Sequence, residues 1–310
     1  MNRLSTKIDA SKLLAFGLVL LSFLNMACES KIRPLRLATY TYATNNRIRN
    51  LEPLSRELEK VLERPVHIES YPDAISFIDG IRSDEVDIAL INTLGYLILS
   101  LDNEVMEPIA ALKIKNDAVD NYKTVLLTNI DSITELNRLK HSSEELSMMF
   151  VAEGSTSGNL VPRLLLSSIG IKSPENQFKE VKYGGNHTSS FEKLLKGKAD
   201  ICAIGSNEYF KQIKKDSTLL DTHNLLWVSE EIPLGPVLLN HSFADEERKK
   251  IIDMFLTLHL KNSSALESIK SGWSEAKQTE RFYPISDSYY NDFREINGNR
   301  TDLIEILDLF

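Results

Sequence analysis

Cysteine is nearly absent: Cys28 and Cys202 are the two in 310 residues. Such a pair gives no disulfide framework and no zinc-site spacing. Glycine and proline are sparse, 13 and 10 residues, which excludes a collagenous or low-complexity chain. There is no fixed-period repeat and no acidic or basic tail. Positive charge is in deficit too. The formal net charge is −8, and no dense Lys/Arg stripe runs along the chain, so the basic face of a nucleic-acid binder is missing. That deficit concerns non-specific partners and leaves a local anion pocket open, because backbone N–H groups hold anions without basic side chains. Catalytic signatures are also missing. None of the six histidines falls in a His-Glu-x-x-His pattern, and there is no Walker-type loop. The run Gly154-Ser155-Thr156-Ser157-Gly158 sets its glycines one place too far out for a nucleophile elbow. No catalytic residue, cofactor or metal site is expected, and hence no enzyme.

What is present suffices for a folded core. Hydrophobic residues make up 42% of the chain, too many for a disordered protein, and the length suits two domains. One long apolar run exists, Leu13 to Leu24, preceded by Arg3, Lys7 and Lys12. It falls short of the roughly 20 residues of a mature transmembrane helix. Its layout is that of a signal peptide over residues 1–27; a short uncleaved anchor is the alternative. Cys28 resembles the lipid-bearing cysteine of a bacterial lipobox. Ala27 fits that pattern, whereas Asn25 and Met26 depart from it and Leu24 stands one place early. The expectation is export to the periplasmic face of a bacterial membrane, lipidation at Cys28 and a linker over 28–34.

The remainder alternates strand and helix. Strands are expected at 35–40, 66–71 and 86–91, with helices at 50–62, after Pro72-Asp73 and from Thr93. Two strands without a helix between them, 108–114 and 122–128, carry the chain from one lobe toward another. Alternation then resumes with strands at 148–152, 178–183, 200–204 and 225–229. Cys202 lies in one of these apolar runs and reads as a small buried hydrophobe. A return strand, 236–240, and helices at 245–260 and 265–271 follow. The pattern predicts two α/β lobes joined by two crossings, with residues 35–125 and 235–310 in one lobe and 126–234 in the other. Ligands of open α/β sheets sit beyond the carboxyl ends of the strands, which here face a cleft.

Three segments fall at such ends. Ser155, Thr156 and Ser157 stand between a strand and a helix start, where free N–H groups and the macrodipole favour an anion; ordinary N-capping by Ser157 or Thr156 is the alternative. Tyr183-Gly184-Gly185-Asn186-His187 stands at a second strand-to-helix junction. His187 is either an anion donor or a solvated loop histidine, with Thr188 or Ser189 as the helix cap. Tyr40, Tyr42 and Tyr96 end strands of the first lobe and can donate phenolic O–H groups without bringing charge; tyrosines packed at the lobe surface are the alternative.

In order and spacing these segments resemble the phosphate/phosphite/phosphonate-binding proteins of bacterial ABC importers, the PhnD-type substrate-binding proteins. The likeness covers Leu37-Ala38-Thr39-Tyr40, Pro53-Leu54, Val86-Asp87-Ile88-Ala89 and Gly95-Tyr96. Its most specific stretch is Gly154-Ser155-Thr156-Ser157-Gly158-Asn159-Leu160-Val161-Pro162. It continues through Tyr183-Gly184-Gly185-Asn186-His187, Lys198-Ala199-Asp200 and Ile232-Pro233-Leu234-Gly235-Pro236-Val237. The resemblance implies a two-lobe periplasmic-binding-protein fold, type II-like, each lobe a mixed sheet flanked by helices. It implies capture of a small phosphorus oxyanion by a monomer that serves an ABC permease and ATPase. A sensor docking on a membrane signalling protein is the alternative. By position, Ser155, Thr156, Ser157 and His187 match the oxyanion contacts. Tyr96, with Tyr40 or Tyr42, matches the tyrosines opposite. The chain departs where aminophosphonate-binding members place an acid: that position is Gly205. Asn92-Thr93 also replaces a frequent Gly-Pro.

Overall fold

The computed structural model describes residues 33–102, 104–119, 121–295 and 300–310. The expected signal peptide, Cys28 and most of the linker lie outside the described residues. Two units are distinguished, Met1–Pro34 and Leu35–Phe310, and the α/β fold lies in the second.

Strand β1, Leu35–Tyr40, pairs in parallel with β2, Val66–Tyr71, and β3, Ile88–Leu90. Strand β4, Met106–Ile114, belongs to the same sheet, and the chain after it leads to β5, Thr124–Thr128, in a second one. The second sheet is completed by β6, Ser147–Phe150, β7, Glu180–Tyr183, β8, Ile201–Gly205, and β9, Asn224–Val228, in the order β7-β6-β8-β5-β9. The chain then returns. Strand β10, Pro236–Asn240, inserts antiparallel between β3 and β4, and β11, Thr279–Pro284, takes the edge, giving β11-β4-β10-β3-β1-β2. Each lobe is thus a mixed sheet flanked by helices, with two crossings between them. The second sheet starts at Thr124, so a boundary after residue 125 falls inside β5.

The central strands β3, β5, β8 and β10 are wholly buried, so they read as near-continuous apolar runs. Along β1 the side chains alternate: Leu35 and Leu37 enter one buried cluster, Ala38 and Tyr40 the other. In β5, Leu126 faces one core, and Val125 and Leu127 the other. Cys202 of β8 is fully buried there, and burial pushes its thiol pKa up. The helix Ile48–Leu62 starts two residues earlier than expected and carries Pro53 in its interior. It buries Leu51, Leu54 and Leu58 on one stripe. Each such leucine stabilises the fold by about 1.5–3 kcal/mol.

Apart from helical turns of five residues or fewer, three elements have no counterpart in the sequence reading: β11, the helix Ser206–Lys215 and the C-terminal helix Arg300–Leu307. Strand β11 mixes charge, aromatics and a terminal proline, which an edge strand tolerates and a pattern search rejects. Among the described residues no helix is long and apolar enough to cross a membrane.

Candidate ligand cleft

The loops that leave β1, β3, β6 and β8 meet between the lobes, and direct hydrogen bonds already join them. Asn92 Nδ2 donates to the Gly154 carbonyl at 2.8 Å, and the Leu94 N–H donates to Thr156 Oγ1 at 3.0 Å. Beneath these contacts lies a cavity of about 90 Å³. A single water needs about 10–15 Å³ on this measure, so one compact anion has room. Tyr40, Tyr42 and Arg47 wall it from the first lobe; Ser155, Thr156 and His187 wall it from the second.

The second-lobe wall follows from local chemistry. Ser155, extended at φ −90°, accepts the Gly158 N–H at 3.0 Å and caps the helix that follows. The cap is therefore Ser155, and not Ser157 or Thr156. The helix opens with a π turn, Thr156–Leu160, closed by the Leu160 N–H on the Ser155 carbonyl at 3.1 Å, before it becomes regular over Val161–Ser168. Such turns recur at functional sites, because the widened first turn re-aims its side chains. At Gly158 a Cβ would stand 2.4 Å from Val151, so only glycine lets this turn lie so close to the end of β6. Ser155, Thr156 and Ser157 are all buried. Thr156 keeps a proton to donate. Ser157 Oγ lies beside the Tyr122 hydroxyl without a well-formed hydrogen bond.

His187 is no loop residue. It is the first residue of the helix His187–Leu195, whose cap is Asn186, with Oδ1 accepting the Ser189 N–H at 2.9 Å. The Gly205 N–H at the end of β8 donates to His187 Nδ1 at 2.9 Å. That bond fixes the tautomer: Nδ1 is the acceptor, so the neutral ring carries its proton on Nε2. Burial lowers the ring pKa to about 4. His187 is therefore a neutral Nε2–H donor at pH 7.

On the first-lobe wall, the Tyr42 ring centroid lies 6.2 Å from that of His187. Its buried hydroxyl stands beside the His187 backbone N–H without a well-formed hydrogen bond. Tyr40 is 4% exposed, packs against Phe77 and has its hydroxyl pKa pushed up by burial. Tyr96 does not reach the cavity. It sits in the helix Thr93–Leu99, which Asn92 caps, and its side chain turns into the lobe core. There its hydroxyl donates to Asp287 Oδ1 at 2.6 Å and its ring lies 4.6 Å from that of Tyr290. Burial and the Asp287 contact both raise its pKa.

Five wall residues were not site candidates in the sequence reading: Arg47, Asn92, Tyr122, Ser274 and Glu275. Arg47 precedes the helix Ile48–Leu62 and Glu275 lies in a single 3-10 turn, Ser274–Ala276, far apart in sequence and with no distinguishing pattern; only the return of the chain through β10 unites them. An outer chamber of about 270 Å³, bordered by Asn45, Asn207 and Glu208, shares Tyr42, Tyr122 and His187 with the inner cavity and extends it toward solvent. Gly205 also faces this region: a Cβ there would lie 3.2 Å from Ser157 Oγ and 3.4 Å from His187 Cε1. The site is thus rich in uncharged O–H and N–H donors, which suits an oxyanion more than a cation or an apolar ligand.

Comparison with known proteins shows the family and the fold. Residues 38–290 match the family described as the periplasmic substrate-binding protein of phosphonate ABC transporters. A probable ABC transporter phosphite-binding protein of Prochlorococcus marinus is 21% identical over 252 residues, 78% of this chain and 81% of that protein. The phosphonates-binding periplasmic protein of Escherichia coli is 24% identical over 252 residues, 81% of this chain and 73% of that one. Among solved structures, that of the Prochlorococcus marinus protein in complex with methylphosphonate superposes with a TM-score of 0.64 at 19% identity, covering 86% of this chain and 98% of the other.

Proposed function

The chain belongs to the periplasmic substrate-binding proteins of phosphonate ABC transporters, and on that premise we propose that it captures a small phosphorus oxyanion between its lobes. The family is a transport component and not an enzyme. In this reading Ser155, Thr156 and Ser157 surround the oxygens with the helix start behind them, His187 Nε2–H adds a neutral donor, and Tyr42, with Tyr40 beside it, closes the opposite wall. Tyr96 has a structural part and no contact with ligand. The observation that carries the reading is the His187–Gly205 hydrogen bond, because it leaves the Nε2 proton as the ring's donor. Uncharged donors suit a transport protein: they bind the anion without the deep trap of several opposing charges.

Delivery to a permease and ATPase follows from the family. We also propose that Cys28 carries a lipid anchor, which rests on the apolar run ending at that residue. One acyl chain anchors only marginally, whereas several hold a protein on a membrane. The ligand reading is tested by calorimetric titration with phosphate, phosphite, methylphosphonate, 2-aminoethylphosphonate and sulfate. At least one phosphorus oxyanion should bind more tightly than sulfate, and sulfate binding tightest would refute it. Cys28→Ser should release the protein from the membrane fraction; an unchanged fraction with an uncleaved N-terminus would refute the anchor.

A further inference from the structure

Among the described residues two arginines are buried, Arg47 and Arg163, and they differ in their partners. Arg163 binds Glu175, and Arg36 binds the buried Asp87 at 2.8 Å. Arg294, with its side chain mostly buried, binds Asp287 at 2.5 Å. Arg47 is 3% exposed, yet among the described residues no carboxylate lies within 4.0 Å of it. Its Nε donates to the Gly272 carbonyl at 2.9 Å and its Nη1 to the Tyr40 carbonyl at 3.1 Å. Its guanidinium carbon stands 4.6 Å from the Tyr40 ring centroid, 5.6 Å from that of Tyr42 and 4.4 Å from that of Trp273. Carbonyls and ring faces soften a buried charge, but they do not neutralise it. Arginine stays protonated at any working pH.

This charge borders the inner cavity together with Ser155, Thr156 and His187, and no other Lys or Arg borders either chamber. The other ionisable groups facing it are Glu275, Tyr40, Tyr42, Tyr122 and the neutral His187 of the inner cavity, with Glu208 in the outer chamber. Glu275 forms no ion pair with Arg47 within 4.0 Å; its carboxylate accepts from Ser274 Oγ at 3.2 Å. Without Arg47 the walls would present two carboxylates and no cation, and would repel an anion.

Resting on the proposed oxyanion site, we propose that the bound ligand is the missing counter-ion of Arg47, and that Arg47 makes the site select a doubly charged oxyanion over a singly charged one of the same shape. A guanidinium in a largely desolvated cavity gains more from the second charge than neutral donors do, because its attraction scales with ligand charge. Selection by Arg47 therefore adds a charge criterion to the shape criterion of the hydroxyl cluster.

The test pairs methylphosphonate with methanesulfonate, a monoanion of nearly the same shape, in calorimetric titrations across the second ionisation of methylphosphonate. The native protein should bind methylphosphonate at least ten-fold tighter than methanesulfonate where the phosphonate is doubly charged, with the preference shrinking as that charge is lost. Arg47→Gln should weaken methylphosphonate by ten-fold or more and flatten the pH profile, whereas Arg47→Lys should keep the profile. Glu275→Gln should tighten methylphosphonate. A folded Arg47→Gln with native affinity and native pH profile overturns the inference. If Arg47→Gln does not fold, because Gly272 and Tyr40 lose their tether, the native protein decides: equal affinity for both ligands at every pH overturns the inference. Failure of the native protein to bind any phosphorus oxyanion would overturn the site reading itself.

Discussion

Ser157→Ala separates a binding role from a structural one. Ser157 is 1% exposed and its Oγ has no well-formed hydrogen bond. Removing a buried hydroxyl without a partner is neutral or mildly stabilising, since nothing is left unpaired. The loss should therefore fall on the complex. A hydrogen bond to a charged group contributes about 1.5–3 kcal/mol, which is about ten- to a hundred-fold in affinity. The same loss is visible in melting. A ligand at about 100 times its Kd stabilises the fold by about 2.7 kcal/mol. At the same concentration, a roughly 30-fold weaker variant would gain about 0.9 kcal/mol. The assay is calorimetry plus thermal unfolding with and without methylphosphonate. Unchanged affinity, or a drop in the ligand-free melting temperature equal to the drop in the complex, would refute the reasoning. Thr156→Ala is the less clean probe, because Thr156 Oγ1 also accepts the Leu94 N–H across the cleft.

Other substitutions and a titration probe the remaining parts. Tyr96→Phe should leave oxyanion affinity within about two-fold while lowering stability by about 0.5–1.5 kcal/mol, because one hydrogen bond is lost and the exposed Asp287 keeps Arg294; a ten-fold affinity loss would return Tyr96 to the site. The folded pKa of His187 lies below its unfolded value, so its contribution is present above pH 6.5 and is lost as pH falls toward about 4. That loss amounts to about 3 kcal/mol. Denaturant unfolding of the native protein and His187→Asn from pH 7 to 4 should show the two curves converging, and parallel curves would exclude a buried neutral imidazole. Gly205→Asp should weaken compact oxyanions and shift the ratio toward 2-aminoethylphosphonate. Gly205 has φ −68° and ψ 136°, which any residue adopts, and an added Cβ asks only Ser157 to yield by a few tenths of an ångström. A native protein that prefers 2-aminoethylphosphonate would point to Glu275 as the acid, in place of one at position 205.

The sequence was most readable where local chemistry and periodicity agree. The strands Leu35–Tyr40, Val66–Tyr71 and Pro236–Asn240 stand where their apolar patterns place them. The hydroxyl cluster and His187 were legible because strand-to-helix junctions carry recognisable small polar residues. Which residue caps was not legible: Ser155 and Asn186 win over neighbours of equal propensity because of backbone angles set by packing. Tyr96 misled for a similar reason. Its place in the first turn after β3 is correct, but the helix phase turns its ring toward Asp287 and Tyr290 from the far end of the chain. Arg47 and Glu275 were invisible as a pair, since no local pattern marks a guanidinium that folding will bury without a carboxylate.

The most direct measurement is a crystal structure of the protein with methylphosphonate. The account predicts the phosphorus group in the inner cavity, with its oxygens within hydrogen-bond distance of hydroxyls of Ser155, Thr156 or Ser157 and of His187 Nε2, and with Nδ1 still accepting from the Gly205 N–H. A ligand bound elsewhere, or a His187 ring turned so that Nδ1 faces the ligand, would contradict it.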